Sequence, residues 1–269
     1  MNKFEIKDRL DKLLYSTYNA LSETIFQTRV GTKKILKENF VFKDVHSKER
    51  CFIFGNGPSL NGLTKNDIQK LENETIFAVN NFYKSDLANF IYPKYYTLVD
   101  DLYLNKWSDA FDKINKTFQH APPVFITDVR AKKSIEALEN VSKAIYIYSK
   151  KYPTTKMSDN ISENIYAPMN VVSLSILVAM YMGFKEIYLL GCDYNAFCTQ
   201  GKGHCYDDKD ELSGFSYNLA FYLKFYWITT EFHYLISKLA KKRGVKVINL
   251  TDGSLLDAYP RKSMSEIFV

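Results

Sequence analysis

A chain of 269 residues with 46% hydrophobic and 15% aromatic content can bury one large core and carry an extension, which excludes a disordered protein. Its formal net charge of +6 fits an anionic substrate, a nucleotide or an acidic membrane surface, and the lack of an arginine-rich stretch or repeated basic module argues against nucleic acid. The opening residues MNKFEIKDRLDKLL lack the apolar core of a signal peptide, so the four cysteines read as reduced thiols of a cytoplasmic protein, at most peripheral to the inner membrane.

Residues 4–26 set Ile6, Leu10, Leu13, Leu14, Tyr18, Leu21 and Ile25 at helical spacing, with Lys7, Asp8, Asp11 and Lys12 opposite. Arg29, Lys33, Lys34 and Lys37 form a basic patch before the polar linker VFKDVHSKER. Residues 1–48 therefore read as a helical extension. It packs on the domain, on a second copy in a homo-oligomer, or on an anionic membrane surface, and the sequence leaves these open. Residues 49–269 read as one α/β domain. Apolar β-rich runs at 51–54, 75–79, 95–99, 123–127, 144–148, 186–190 and 245–249 alternate with helical patterns at 64–71, 103–118, 130–139, 171–183 and 216–243. The apolar stretch 171–184 is too short for a bilayer span and carries two serines, so it reads as a buried helix. This alternation predicts a Rossmann-like, mostly parallel sheet with helices on both faces. Ligands of such sheets bind beyond the carboxyl ends of the strands.

The first strand runs into Gly55-Asn56-Gly57-Pro58-Ser59. Two glycines let a backbone approach a ligand and turn its N–H groups to a phosphate, while Asn56 and Ser59 add side-chain hydrogen bonds. Leu60 stands where a dinucleotide fingerprint has its third glycine, and no Gly-Lys-Ser/Thr follows as in a P-loop. A plain turn is the alternative. Asn80-Asn81 ends the second strand, with amides suited to a base, a sugar hydroxyl or a turn. Asp100-Asp101 ends the third and fits an acceptor hydroxyl, a Mg²⁺ or Mn²⁺ ion, or a helix cap. The sixth strand ends in Gly191, Asp193, Tyr194 and Asn195, and the loop beyond carries His204, Tyr206, Asp207 and Asp208. A histidine flanked by glycine and acids in that loop fits a general base. Cys192, Cys198, His204 and Cys205 match no common zinc spacing.

The segments GNGPSL, NNFY and GFKEIYLLGCDY resemble the bacterial lipooligosaccharide sialyltransferases, and SLLDAYP falls where that family has a Ser-Leu-Leu segment. The chain is also similar to proteins of surface-polysaccharide clusters related to a pterin pyrophosphokinase-like domain. The resemblance spans 50–262 and leaves out the N-terminal helix. It implies that Gly55, Asn56, Gly57, Ser59 and Asn80 bind a CMP-sugar, and Pro58, Asn81, Asn170, Gly191, Asn195 and Ser254 complete the candidate nucleotide site. It also implies inverting chemistry without a metal, in which a histidine deprotonates the acceptor and tyrosines stabilise the departing phosphate. The family's Ser-Gly pair before the long helix is Asn170-Val171 here, and its first tyrosine after the Gly-x-Asp strand is Asn195. Its histidine lies near the start of the last long helix, where this chain has Ile228 and, five residues on, His233.

The expected catalytic set is His204, Asp193, Tyr194 and Tyr206. His204 is preferred as base because His233 stands among Phe232, Tyr234 and Leu235. The reading is a glycosyltransferase with a nucleotide-activated, CMP-linked sugar of the sialic or Kdo type, a surface-glycan or glycolipid acceptor held near Asp100 and Asp101, and no cofactor. One alternative is a pyrophosphokinase with Mg²⁺ or Mn²⁺ on Asp100, Asp101, Asp207 and Asp208. Another is a non-catalytic nucleotide-sugar binder in a polysaccharide assembly.

Overall fold

Along β1 (Arg50–Phe54), Cys51 and Ile53 point to one face of a sheet and Phe52 and Phe54 to the other, and all four are fully buried. A strand apolar on both sides must be covered on both sides. The other strands are β2 (Thr75–Val79), β3 (Tyr95–Leu98), β4 (Val124–Asp128), β5 (Ala144–Lys151), β6 (Asn164–Tyr166), β7 (Glu186–Leu190) and β8 (Lys246–Asn249). They form one eight-stranded parallel sheet in the order β6-β5-β4-β3-β2-β1-β7-β8. The computed structural model describes residues 2–141, 143–198, 203–209 and 218–268. All seven sequence-predicted strands are present, and the three-residue β6 is an addition to them.

The helices are α1 (Lys3–Thr28), α2 (Val30–Lys37), α3 (Lys65–Leu71), α4 (Asp101–Leu104), α5 (Ala110–Thr117), α6 (Lys132–Glu136), α7 (Val171–Tyr181) and α8 (Leu219–Arg243). α7 and α8 cover the Cys51–Ile53 face, and α3, α5, α6 and the C-terminal tail pack with the Phe52–Phe54 face. The sheet is thus Rossmann-like, with helices on both faces. The pattern expected as one helix over 103–118 is two helices. Asn105 leaves helical geometry at φ −126° and ψ −83°, and its side-chain amide donates to Asp101 O at 2.8 Å, which closes α4 after one turn.

The N-terminal segment lies along β5. Tyr15 stacks on Tyr152 at 3.7 Å, and Asn19 exchanges two hydrogen bonds with the Tyr152 backbone. Asn39 follows α2, is fully buried, donates to Tyr146 O at 2.7 Å and accepts from Tyr146 N at 2.9 Å. β6 pairs only with the later half of β5, so this amide stands in for a neighbouring strand along the earlier half.

α7 is buried on nearly every side and meets α8 through a small polar contact. His233 of α8 is fully buried, with Nδ1 2.9 Å from the Tyr259 hydroxyl and Nε2 3.1 Å from the Ser173 hydroxyl. Burial lowers its pKa to about 3, so the ring is neutral near pH 7. The unfolded chain takes up this proton near the ordinary histidine value of about 6.5. Between there and about 3 the unfolded state holds more protons, so acidification removes the stability this residue contributes, by up to ~1.4 kcal/mol per pH unit. Replacing His233 by Leu should cost about 1–3 kcal/mol at pH 7, because two buried hydroxyls lose their partner. The gap in unfolding free energy between wild type and His233→Leu should then narrow as pH falls from 7 to 4. Denaturant unfolding across that range measures it, and a constant gap would contradict the assignment.

Candidate functional site

From β1 the chain steps outward strand by strand to β6, and α7 then returns it to β7 on the other side of β1. The carboxyl ends of β1 and β7 therefore flank the crevice where the winding reverses, the usual ligand site of such sheets. Here the two strand-end turns lock together. Gly55 N donates to Leu190 O at 2.8 Å, and Gly57 N donates to Gly191 O at 2.7 Å. A Cβ on Gly57 would lie 1.8 Å from the Asp193 carboxylate and 2.6 Å from Gly191 O. Gly57 is glycine because one turn presses on the other.

A cavity of about 500 Å³ opens at this crevice. Of the sequence-predicted residues, Gly55, Gly57, Asn80, Asp100, Asn170, Gly191, Asp193, Tyr194, Asn195 and His204 line it. Asn56, Pro58, Ser59, Asn81, Asp101, Tyr206 and Ser254 are not among the described lining residues. Asp128, Ser149, Phe225 and Tyr226 line it as well and were not foreseen. Asp128 ends a predicted strand, so the strand-end rule that selected Asp100 would also have selected it. His233 of α8 also lines the cavity, with its side chain fully buried.

Several expected uses change once partners are traced. The expectation that glycine N–H groups face a phosphate does not hold for Gly55 and Gly57, and the Ser59 hydroxyl expected at the ligand is bonded within the protein. The first two are bonded to β7 carbonyls, and Ser59 N donates to Asp193 Oδ1 at 3.1 Å. Asp193, expected among the catalytic groups, also takes the Ser59 hydroxyl at 2.7 Å, so its carboxylate clamps the two turns. Ser254, expected at the nucleotide, is buried and donates to Cys192 O at 2.6 Å, holding the same turn from the β8 side. Tyr194, expected among the catalytic groups, turns its hydroxyl into a hydrogen bond with Thr229 Oγ1 on α8, and burial raises its pKa. Tyr206 is buried as a stacking platform. Asp101 pairs with Arg130 at 2.6 Å, and Arg130 also grips Asp128 at 2.8 Å. Asp100 accepts from Leu102 N at 2.9 Å as the N-cap of α4 while still lining the cavity.

His204 sits at the rim as half of a pair. Its Nδ1 lies 2.9 Å from Asp208 Oδ2, and Asp208 is only 2% exposed and also accepts from Gly203 N at 3.0 Å. The ring stacks on Tyr206, centroids 5.0 Å apart and 6° from parallel. Cys205 N donates to Asn56 O at 2.9 Å, tying this loop to the turn after β1. A carboxylate on Nδ1 fixes the tautomer with the proton there and leaves Nε2 as the acceptor. Asp208 was read from sequence as one of the acids flanking His204 and, in the pyrophosphokinase alternative, as a metal ligand. An acid four residues after a loop histidine was the available signal for a partner.

Asn80 stands at φ +47° on the wall, and its Oδ1 is buried without a hydrogen-bond partner. Asn56 Oδ1 is likewise unpaired, while its Nδ2 donates to Val79 O at 2.8 Å. Buried amide oxygens rarely stay unpaired, and Asn80, which lines the cavity, is an acceptor to which a ligand N–H or O–H can donate. Asn170 caps α7 through Oδ1, bonded to Val172 N at 2.9 Å, and the first turn of α7 forms part of the wall. The positive end of the α7 dipole therefore faces the cavity.

Two solved structures illustrate the likeness of the chain path. The sialyltransferase CstII from Campylobacter jejuni, solved with the substrate analogue cytidine-5'-monophosphate, is 18% identical at a TM-score of 0.46, over 80% of this chain and 85% of its own. The MAf glycosyltransferase from Magnetospirillum magneticum AMB-1 is 14% identical at a TM-score of 0.49, over 87% of this chain and 38% of its own. No curated protein matches the sequence. The family model described as "6-hydroxymethylpterin diphosphokinase MptE-like" matches residues 23–198, beginning inside α1 rather than at the first strand. That match covers well over half of the sequence, and the chain belongs to the MptE-like family.

Proposed function

We propose that this chain is a glycosyltransferase that moves a sugar from a nucleotide-activated donor to a hydroxyl acceptor, with His204 as general base. The observation that carries the reading is the His204–Asp208 pair on the rim of the switch-point cavity. In the proposed step the acceptor oxygen forms the bond to the anomeric carbon as Nε2 takes its proton. The bond from that carbon to the phosphate oxygen breaks, and its electron pair leaves with the nucleotide. Asp208 holds the ring in place and balances the imidazolium charge. The departing phosphate is assigned to the N-terminus of α7, where Asn170 Oδ1 takes the Val172 and Ser173 N–H groups and the helix dipole favours an anion.

The donor we assign is a CMP-linked sugar of the acidic sialic or Kdo type, as the sequence resemblance implies, and the acceptor is a surface glycan or glycolipid. The pyrophosphokinase reading draws on the description of the family and needs its carboxylates together on a metal. Asp208 is instead engaged with His204, Asp101 with Arg130 and Asp100 with the first turn of α4, which supports the glycosyl reading over it.

Two expected outcomes follow from these roles. Asn80→Gly keeps the positive φ and removes the unpaired oxygen, so stability should change by less than about 1 kcal/mol. CMP affinity, measured by calorimetry, should weaken by about 1–3 kcal/mol. Unchanged affinity in the folded variant would take Asn80 out of the site. His204→Ala should lower turnover of a CMP-sugar by on the order of 10²–10⁴, with EDTA present throughout and donor affinity unchanged. Asp208→Asn should lower it less. Full turnover in His204→Ala, or loss of all wild-type activity in EDTA with recovery on Mg²⁺, would overturn the mechanism.

A further inference from the structure

α1 meets the domain along one stripe. Tyr15 stacks on Tyr152, Asn19 bonds the Tyr152 backbone, Ser22 donates to Lys150 O, and Phe26 stacks on Tyr148. Beside that stripe, Leu10, Leu13, Leu14, Tyr18, Leu21 and Ile25 are between 43% and 68% exposed. Their positions recur every three to four residues, which holds them in one line along the helix. We propose that this line is where a second copy of the chain docks, α1 against its counterpart.

Six large apolar side chains at such exposure present on the order of 600 Å², at the upper end for a monomer and near the ~800 Å² each partner brings to a standard interface. The spacing suits a second helix, since a recurrence of three to four residues keeps one seam turned to its neighbour. Charge selects a protein partner over a bilayer. α1 carries Lys3, Lys7, Arg9 and Lys12 against Glu5, Asp8, Asp11 and Glu23, four of each sign. A helix lying on an anionic membrane has a polar face rich in lysine and arginine instead. The basic residues Arg29, Lys33, Lys34 and Lys37 belong to α2 and its approach, outside this line.

Light scattering coupled to size-exclusion chromatography of the full chain tests this at micromolar concentration. The expected mass is twice the 31.2 kDa of the chain. Leu14→Glu combined with Leu21→Glu, at positions 68% and 59% exposed, should give the monomer mass with the wild-type circular-dichroism spectrum. If that variant loses its native spectrum, Leu14→Ser takes its place with the same readout and an expected weakening of dimerisation of at least tenfold. A monomeric wild type, or a dimer untouched by the substitutions, overturns the proposal. So does a monomeric wild type that sediments with phosphatidylserine vesicles while the variant does not, which would assign the line to a membrane.

Discussion

The interlock of the turns after β1 and β7 is the contact on which the rest of the site depends. Gly57 N bonds Gly191 O, and Asp193 takes both the backbone N–H and the hydroxyl of Ser59. From the other side, Thr251 Oγ1 accepts from Cys192 N at 2.9 Å and Ser254 Oγ donates to Cys192 O at 2.6 Å. The point where the winding reverses is therefore gripped from β1 and from β8 at once. Such a frame sets the cavity wall without help from a ligand, and a preformed wall lowers the ordering cost of binding.

That rigidity has a chemical consequence. N–H groups used to hold turn to turn are not available to an anion, which leaves other polar groups facing the cavity. Asn80 offers an unpaired oxygen, α7 offers its N-terminus, and His204 offers a ring nitrogen backed by a buried carboxylate. His204 and His233 show how environment divides one residue type into two roles. His233 is enclosed with both nitrogens bonded and is held neutral by burial. His204 sits on the rim, partly open to solvent.

Much of this was legible in the sequence because strands apolar on both faces leave a strong signal. Cys51 to Phe54 and Ile187 to Leu190 could only be interior strands, and the strand-end rule then led to Gly57, Asn80 and Asp100. β6 was not legible, since Asn164–Tyr166 is three residues long and is defined by its pairing with β5. The break between α4 and α5 was missed because the 103–118 pattern stays helical across it, and a single asparagine amide decides the stop. What the sequence left hidden at the site was the partner of each polar group. Asp193 and Ser254 have the residue types of a site but are occupied by backbone and hydroxyl groups distant in the chain. Asp208 became the partner of His204 only once the loop was folded.

A calorimetric titration of the full chain with CMP and with ATP, each in EDTA and in Mg²⁺, tests the central claim most directly. CMP should bind in EDTA with an affinity that Mg²⁺ leaves unchanged, as expected for a single phosphate held by a helix terminus and amides. Binding of ATP that appears only with Mg²⁺, with CMP silent in both conditions, would contradict it and assign the cavity to diphosphate transfer.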